Sequence, residues 1–339
     1  MKNPLFKIRE YGKFGFINAE GTIMIEPQYF DAEAFYNNFS RVRFNNKLVP
    51  LDCMGRLLMK HLFNYVGYFE DGLAKAQLVK RWGYIDGRGS LAIEIQFEEA
   101  GDFHQGIAPA GINGKVGYIN KAGKFIIPAI YEEAHEFKSE LAAVSLNQQF
   151  GFINRKGEMV IEPQFESADS FQGKTAVIRS GKKWGLINDK GEILVDPEFD
   201  IIEGFSEGEF FEGMALVSTG EKYGFINDKG KMVIEPIYDF AGDFSEGMAL
   251  VEINERFGYI DKKGKLLIIP KFEDAGVFSE GLAQVKLKGQ WGYIDTDGKF
   301  AIPARFEDVL PFKNGLAWVS VDNKWAYIDR FGELVWKER

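Results

Sequence analysis

A motif that returns every 34 residues dominates this chain of 339 residues and restricts its possible folds more than any other feature. Its core reads aromatic–Gly–aromatic–Ile–Asn/Asp–x–x–Gly, as in residues 82–89. Ten copies occur, and their spacing is 34 residues in eight of nine steps, with 39 between Gly185 and Gly224. A fixed period of this length is typical of repeat architectures, in which each unit buries its apolar surface against its neighbours.

The ten units fill residues 1–339 as a single repeat array. The second unit, about residues 38–72, is degenerate, because Val49-Pro50 stands where other units have Gly and an aromatic residue. A five-residue insertion near residues 205–213 duplicates a Phe-Ser-Glu-Gly loop. Such insertions are tolerated in surface turns, where added loop length costs little.

The composition favours strands over helices. The chain is 45% hydrophobic and 15% aromatic, with 31 Phe, and aromatic residues are enriched in strands. Its 38 Gly indicate many tight turns. The sequence therefore predicts an all-β protein.

Each unit is predicted to be a three-stranded antiparallel meander. In one example the first strand contains residues 282–285, the second residues 291–295 and the third residues 299–302. An Asn/Asp-x-x-Gly tetrad, present in all ten copies, reverses the chain between the second and third strands. Runs of three apolar residues in the third strand, such as residues 23–25, predict burial on both faces. A proline such as Pro27 is expected to end that strand.

A connector of about a dozen residues joins consecutive units and contains Phe/Tyr-x-x-Ala-x-x-Phe, as in Phe97, Ala100 and Phe103. Its last residue is Phe in all nine connectors. The spacing of three suits a short 3₁₀ or helical turn. We interpret the final Phe as a wedge between adjacent sheets.

Stacked sheets can form an open superhelix or a closed ring. Ten blades exceed the usual four to eight of a propeller. The chain also runs from a first strand at Leu5 to a third strand at Val335-Trp336, so no blade is shared between its ends. We therefore favour an open β-solenoid, with a closed or double β-propeller as the alternative. Trp336 is expected to anchor a tenth unit that caps the array.

The repeat resembles the WG-repeat family, also called the KWG-repeat family, of bacterial β-repeat proteins. Lys183-Trp184-Gly185 carries the full Lys-Trp-Gly triplet, and Trp82-Gly83 carries the pair. The resemblance extends over Leu5 to Trp336, although several copies replace Trp by Phe, Tyr or Val. It implies a repeat architecture and partner binding, and it implies no catalysis, substrate or cofactor.

Charge and composition exclude several classes of partner. The net charge is −9, with 41 basic and 50 acidic residues, which argues against nucleic acid. One cysteine, Cys53, provides no disulfide framework. No signal peptide or membrane span is recognised, so we expect a cytoplasmic protein. No metal-binding or cofactor motif is found, and none is predicted.

Few residues of the sequence suggest a catalytic or metal-binding site. His61, His104 and His135 fall in or beside connectors at different offsets, and we interpret them as solvated loop residues. Acidic pairs recur at one connector offset: Glu98-Glu99, Glu132-Glu133, Glu273-Asp274 and Glu307-Asp308. They are compatible with a divalent ion, glycoside hydrolysis or a basic partner. The favoured interpretation is that they begin a helical turn, whose N-terminus attracts negative charge, and partner docking comes next.

The leading hypothesis is a non-enzymatic scaffold that binds a protein partner, of basic character, through its loops. The four acidic pairs, with Phe210 and Phe211 of the enlarged loop, are its candidate contacts. A carbohydrate or cell-envelope module is the alternative, because a Tyr or Phe follows the motif Gly in eight of ten units and such rings can stack on sugars. The buried strand favours core packing for these rings. A hydrolase in a propeller channel is the least favoured hypothesis.

Overall fold

The part of the polypeptide that the structure describes consists of β-strands joined by turns and loops. A computed structural model describes residues 4–58, 63–171, 173–200 and 211–339. Within these ranges there are 35 strands and no helix, and the strands form ten small antiparallel sheets in chain order. The all-β prediction is therefore confirmed. A search of the same ranges finds no helix with the length and apolar character needed to cross a membrane.

The sheets are numbered 1 to 10 along the chain. Sheets 1 to 5 contain the following strands: β1 (Phe6–Glu10), β2 (Lys13–Ile17) and β3 (Ile23–Tyr29); β4 (Phe39–Phe44) and β5 (Lys47–Asp52); β6 (Tyr65–Val66), β7 (Leu73–Leu78), β8 (Arg81–Asp86) and β9 (Leu91–Phe97); β10 (Glu99–Ala100), β11 (Ile107–Ile112), β12 (Lys115–Asn120) and β13 (Phe125–Tyr131); β14 (Leu141–Leu146), β15 (Gln149–Asn154) and β16 (Met159–Phe165).

Sheets 6 to 10 continue the pattern with β17 (Ser167–Ala168), β18 (Thr175–Ser180), β19 (Lys183–Asn188) and β20 (Ile193–Phe199); β21 (Met214–Thr219), β22 (Lys222–Asn227) and β23 (Met232–Tyr238); β24 (Phe240–Ser245), β25 (Met248–Ile253), β26 (Arg256–Asp261) and β27 (Leu266–Phe272); β28 (Asp274–Ala275), β29 (Ala283–Leu287), β30 (Gln290–Ile294) and β31 (Phe300–Phe306); β32 (Asp308–Val309), β33 (Ala317–Val321), β34 (Lys324–Ile328) and β35 (Leu334–Lys337).

The Asx turn between the second and third strands forms as predicted. The Asp86 carboxylate accepts the N–H groups of Arg88 and Ser90, at 2.9 Å each. The tetrad glycine, Gly89, adopts a φ of 72°, which favours glycine. Equivalent side-chain bonds recur in all ten units.

A β-bulge in the third strand explains the motif glycine. In sheet 3, Trp82 pairs with Phe97 and Tyr84 pairs with Ile93, so Gly83 alone lies opposite residues 94–96. A Cβ at this glycine would lie 2.5 Å from the Ile93 carbonyl oxygen, and all eight motif glycines meet the third strand in this way. The motif therefore requires glycine because the bulged backbone occupies the space of a side chain.

Two predictions for the third strand were wrong. Pro27 lies within β3 and does not end it, because the bulge of an edge strand needs no N–H at that position. The apolar runs are also not buried on both faces. Ile25 is buried, but its neighbour Met24 is 54% exposed, and β9, β13, β16 and β23 alternate in the same way. This strand lies at the edge of its sheet, where only one face packs on a neighbour.

The connector is an extended strand, and the predicted 3₁₀ or helical turn was wrong. Glu99 and Ala100 form β10, which pairs antiparallel with Gly111 and Ala110 of β11. Sheets 3, 6, 8, 9 and 10 gain a fourth strand in the same way, and sheets 2 and 5 show a single bridge there. The first strand of each sheet offers unpaired N–H and C=O groups along this edge, and the connector backbone satisfies them. We call this side of each sheet the connector edge.

The connector Phe acts as the predicted wedge between sheets. Phe103 is 1% exposed and packs on Tyr84 of the preceding sheet, with ring centroids 4.8 Å apart. Tyr84 is itself buried, and its hydroxyl donates to the Gly101 carbonyl at 2.7 Å. The same ring pairing recurs in six other described units, at 4.8 or 4.9 Å. These rings are core residues, as the favoured interpretation stated.

Apolar clusters connect each sheet to the next along the described chain. A further cluster joins the two ends, with Phe6, Ile8 and Ile17 of sheet 1 packed against Leu316 and Trp336 of sheet 10. Trp336 is therefore buried against the first sheet, and the expectation that it caps a free end was wrong.

Candidate functional site

The first acid of each connector pair has a structural role. Glu132 accepts the N–H of Gln148 at 2.7 Å, and Glu273 accepts those of Lys288 and Gly289 at 2.9 Å each. These backbone bonds are the main reason that the pKa values of Glu132 and Glu273 are lowered. Glu98 and Glu307 make the same contact, with Gly114 and Asn323. The interpretation as the start of a helical turn was wrong, because the carboxylates bind the hairpin turn of the next sheet.

The second acids lie in the connectors and are exposed: Glu99, Glu133, Asp274 and Asp308. Asp274 and Asp308 accept the N–H of the residue that follows each of them, at 2.8 and 2.9 Å. Each of the four belongs to a different connector, and Glu99 alone among the four lines the cavity described below.

The enlarged loop is described only in part. Phe210 lies outside the described residues. Phe211 is 39% exposed and forms a bridge with Met214. His61 also lies outside the described residues, and Cys53 is exposed.

The connectors of sheets 4, 5 and 6, together with β11 and β12, line an open cavity of about 400 Å³ that the regularity of the repeat did not predict. Its polar lining includes Glu99, His135, Glu136, Lys138 and Asp169. Three carboxyl groups and a histidine thus share this space with one lysine.

Glu136 holds two neighbours at the cavity. Its carboxylate accepts the N–H of Asp102 at 2.8 Å and lies 3.4 Å from Nε2 of His104. Asp102 in turn pairs with Lys75 at 3.0 Å. Two of the histidines therefore lie at one site, although their offsets within the repeat differ.

His135 is mainly buried, so the interpretation as a solvated loop residue was wrong for this residue. Its ring packs on Phe150, with centroids 5.6 Å apart, and its carbonyl accepts the Tyr118 hydroxyl at 2.7 Å. Burial lowers the pKa of His135, against the opposing effect of Glu133 and Glu136. The imidazole is consequently neutral at pH 7 and can accept or donate a hydrogen bond.

Asp169 is the least satisfied group of the cavity. Burial raises the pKa of its carboxyl to about 6, while Lys138 acts in the opposite direction. Its Oδ2 is buried, and no described residue gives it a hydrogen bond. A buried acceptor without a donor is costly, so an N–H or O–H group that reached this oxygen would form a favourable hydrogen bond.

One signal in the sequence could have revealed the cavity. Gly101, His135 and Asp169 occupy the same connector offset, 34 residues apart, and adjacent sheets bring equivalent offsets together. Most other units have glycine or another uncharged residue there. Among the residues that the structure describes, no group of three His, Cys, Asp or Glu side chains is arranged to hold a metal ion.

Comparisons with known proteins identify the repeat. A search of curated protein sequences found no significant match. Among solved structures, one described as "Crystal structure of the eukaryotic initiation factor" aligns over 100% of this chain and 96% of its own, with 12% identity and a TM-score of 0.57. At this identity the similarity shows the fold alone.

Two more distant similarities support no argument. PorZ of Porphyromonas gingivalis covers 98% of this chain and 51% of its own, with 11% identity and a TM-score of 0.32. The dihydro-heme d1 dehydrogenase NirN covers 98% and 72%, with 12% identity and a TM-score of 0.41.

The family model described as "WG containing repeat" matches eight stretches: residues 14–47, 82–115, 117–149, 150–184, 184–223, 223–256, 257–291 and 291–325. These matches cover most of the chain and coincide with the second strands, bulges and connectors described above. The chain belongs to the WG-repeat family.

Proposed function

We propose that the ten sheets form one closed ring, in place of the open solenoid favoured from the sequence. Contacts between sheets 10 and 1 follow those between consecutive sheets. The tetrad glycine of most units packs on the third strand of the preceding unit, as Gly298 does on Ile268, and Gly21 of sheet 1 packs on Val335 of sheet 10. Tyr327 donates to the Lys7 carbonyl at 2.9 Å, much as other tyrosines donate to a connector.

Small-angle scattering tests ring closure. A closed ring predicts a compact distance distribution with depleted density at its centre. An elongated profile whose maximum dimension approaches that of a ten-sheet superhelix would contradict the proposal.

We further propose that this ring is a non-enzymatic scaffold that binds a partner through a cationic group placed in the cavity of sheets 4 to 6. The single observation that carries this proposal is the unpaired Oδ2 of Asp169, in a cavity shared with Glu99 and Glu136. A guanidinium or ammonium group would give that oxygen a donor and would place positive charge beside three acids. The chain's net charge of −9 would also favour encounter with a basic partner.

A short peptide tests this function directly. Acetyl-Gly-Arg-Gly-amide should bind the full chain in a calorimetric titration, and the citrulline analogue, which has no charge, should bind at least tenfold more weakly. D169N and E136Q should weaken binding of the arginine peptide. D274N changes an exposed acid on β28 and should leave this binding unchanged. Equal binding of the two peptides, or an unaffected D169N variant, would contradict the proposal.

The same variants make a pull-down informative. Wild-type protein used as bait at low salt should retain partners that the D169N/E136Q double variant loses. Proteins that both baits recover equally do not bind through the cavity. If the wild-type bait recovered only such proteins, the proposed binding function would be contradicted.

One observation favours hydrolysis as a second candidate. His135 and Asp169 line the same cavity, and an acid with a raised pKa beside a neutral imidazole is a pattern found in acid–base catalysis. Turnover of a glycoside or ester panel that is abolished by D169N would support it, and a panel without turnover would exclude those substrates. The carbohydrate-module alternative loses its main basis, because the stacking candidates Tyr84, Tyr118, Tyr259 and Tyr293 are fully buried.

A further inference from the structure

Sheet 1 differs from the other sheets at its connector edge. In sheet 4 the connector bonds to the first strand through Glu98 N–H to the Gly111 carbonyl and Gly101 N–H to the Pro109 carbonyl, at 2.8 and 2.9 Å. By repeat register, Arg9 and Lys7 of β1 correspond to Gly111 and Pro109. No described residue forms a strand against this edge of β1.

Tyr327 makes a bond to β1 that a connector makes in other units. The hydroxyls of Tyr84, Tyr118, Tyr259 and Tyr293 each donate to a connector carbonyl, at 2.6 to 2.8 Å. Tyr327 instead donates to the Lys7 carbonyl, which in other units accepts a connector N–H. The two groups that would each bind a connector are therefore bound to one another.

A cavity of about 530 Å³ lies at this edge. Its lining includes Leu5, Lys7, Leu310, Pro311, Trp318 and Tyr327. In the preceding unit the corresponding space holds the connector wedge Phe312, 4.8 Å from Tyr293. Beside Tyr327 the nearest ring is Phe6, at 5.5 Å, on a position that is alanine in most units. Phe6 thus covers part of the wedge position and leaves the remainder open.

Trp318 lines this cavity and carries an unsatisfied polar atom. Its indole N–H is buried and has no hydrogen-bond partner among the described residues. A buried donor of this kind is costly to leave unpaired. The Trp318 ring also packs edge-on against Trp325, with ring centroids 5.6 Å apart.

We propose that the connector edge of β1 binds an extended peptide segment of a partner, and that this segment resembles the chain's own connectors. Its backbone adds as a fourth strand beside Arg9, in the manner of β-augmentation. An alanine or valine of the peptide lies against β1, and a phenylalanine three residues later in the peptide enters the cavity beside Tyr327. The proposal is independent of the cationic site, because the two cavities share no lining residue.

The chain itself supplies the model for this ligand. Connector strands fill the equivalent edge in sheets 3, 4, 6, 8, 9 and 10, and they carry Ala or Val followed three residues later by Phe. A peptide with the sequence of residues 271–280, KFEDAGVFSE, contains each element: an extended run, Ala275 and Phe278.

Calorimetry and hydrogen exchange on the full chain test the proposal with this peptide. We expect saturable binding, with a dissociation constant of roughly 10–100 μM for so short a strand. The matched peptide with Ala in place of Phe278 should bind at least tenfold more weakly. Peptide binding should slow amide exchange in residues 6–10 and in no other first strand.

Two protein variants complete the test. W318F removes the unpaired N–H and part of the ring that lines the cavity, and it should weaken peptide binding severalfold. W291F makes the same change on sheet 9 and should leave peptide binding unchanged. Absence of saturable binding to wild type, equal binding of the two peptides, or protection outside residues 6–10 would each overturn the proposal. A peptide that bound D169N normally would show that its site is separate from the cationic cavity.

Discussion

Arg9 and Glu338, 329 residues apart in sequence, form a bidentate ion pair at the contact between the first and last sheets. The guanidinium Nε lies 2.9 Å from one carboxylate oxygen, and a terminal nitrogen lies 3.2 Å from the other. The same guanidinium packs over Trp325, 4.9 Å from the ring centroid. A guanidinium that binds a carboxylate through two hydrogen bonds and stacks on an aromatic ring contributes more to stability than an ordinary surface ion pair.

E338Q should lower the free energy of unfolding by about 1 kcal/mol at pH 7, since Arg9 remains partly exposed and solvent screens the pair. The Arg9 bond lowers the pKa of Glu338, so the folded state favours the carboxylate. The difference between wild type and variant should therefore be present above the ordinary pKa of a glutamate. It should vanish as pH falls through the lowered folded value.

Urea unfolding at several pH values measures this difference. D297N is the matched control, because the pair Asp297–Lys299 is exposed and lies within one turn. A pH-independent effect of E338Q, or an equal effect of D297N, would show that the pair at the sheet contact has no special role.

G117A should destabilise the fold by roughly 2–3 kcal/mol, because the new Cβ would lie 2.5 Å from the Ile127 carbonyl oxygen. The backbone, and not a flexible side chain, must move to relieve this contact. The tenth unit provides the control, since Ala326 pairs with Lys337 in a third strand that has no bulge at this point. A326G should cost about 1.5 kcal/mol, through chain entropy and the loss of one buried methyl group, and without any backbone clash. Similar losses for the two variants in thermal unfolding would refute the bulge explanation.

V79N should raise the free energy of unfolding by about 1 kcal/mol, because Val79 has a φ of 47° that a β-branched residue rarely adopts. Its side chain is 79% exposed, so the change loses little packing. Asn254 occupies the equivalent turn of sheet 8 with a φ of 51°. N254V should therefore be destabilising by a similar amount. Differential scanning calorimetry measures both, and a midpoint that does not rise for V79N would contradict the expectation.

Local features were predictable from the sequence because they depend on residues close together in the chain. The Asx turn needs only Asp86 and Gly89, and the wedge is marked by the invariant offset of residues such as Phe103. The bulge was not predicted, since an apolar run such as residues 23–25 does not indicate a change in strand register. The connector strand was also missed, because its partner β11 is defined by sheet pairing and not by local spacing.

The candidate sites depend on how units face one another. His135 and Asp169 share an offset but not a residue type, so a search for repeated chemistry passes over them. The open edge of β1 depends on which other segment pairs with that strand. The residues of β1 themselves do not indicate such a partner. Departures from the repeat become informative only when equivalent positions of neighbouring units are compared.

Asp169 should titrate with a midpoint near 6, in carboxyl-resolved NMR, because burial raises its pKa to about 6. An acid with a raised folded pKa keeps its proton in the native state after the unfolded chain has released it. The native state then binds more protons, so stability should fall as pH rises from about 4 to 6 and change no further above that range. D169N removes this loss and should be more stable than wild type at pH 7 but not at pH 3.5. A ligand with a cationic group should lower the Asp169 midpoint in wild type, and a midpoint near 4 in the free protein would contradict the burial argument.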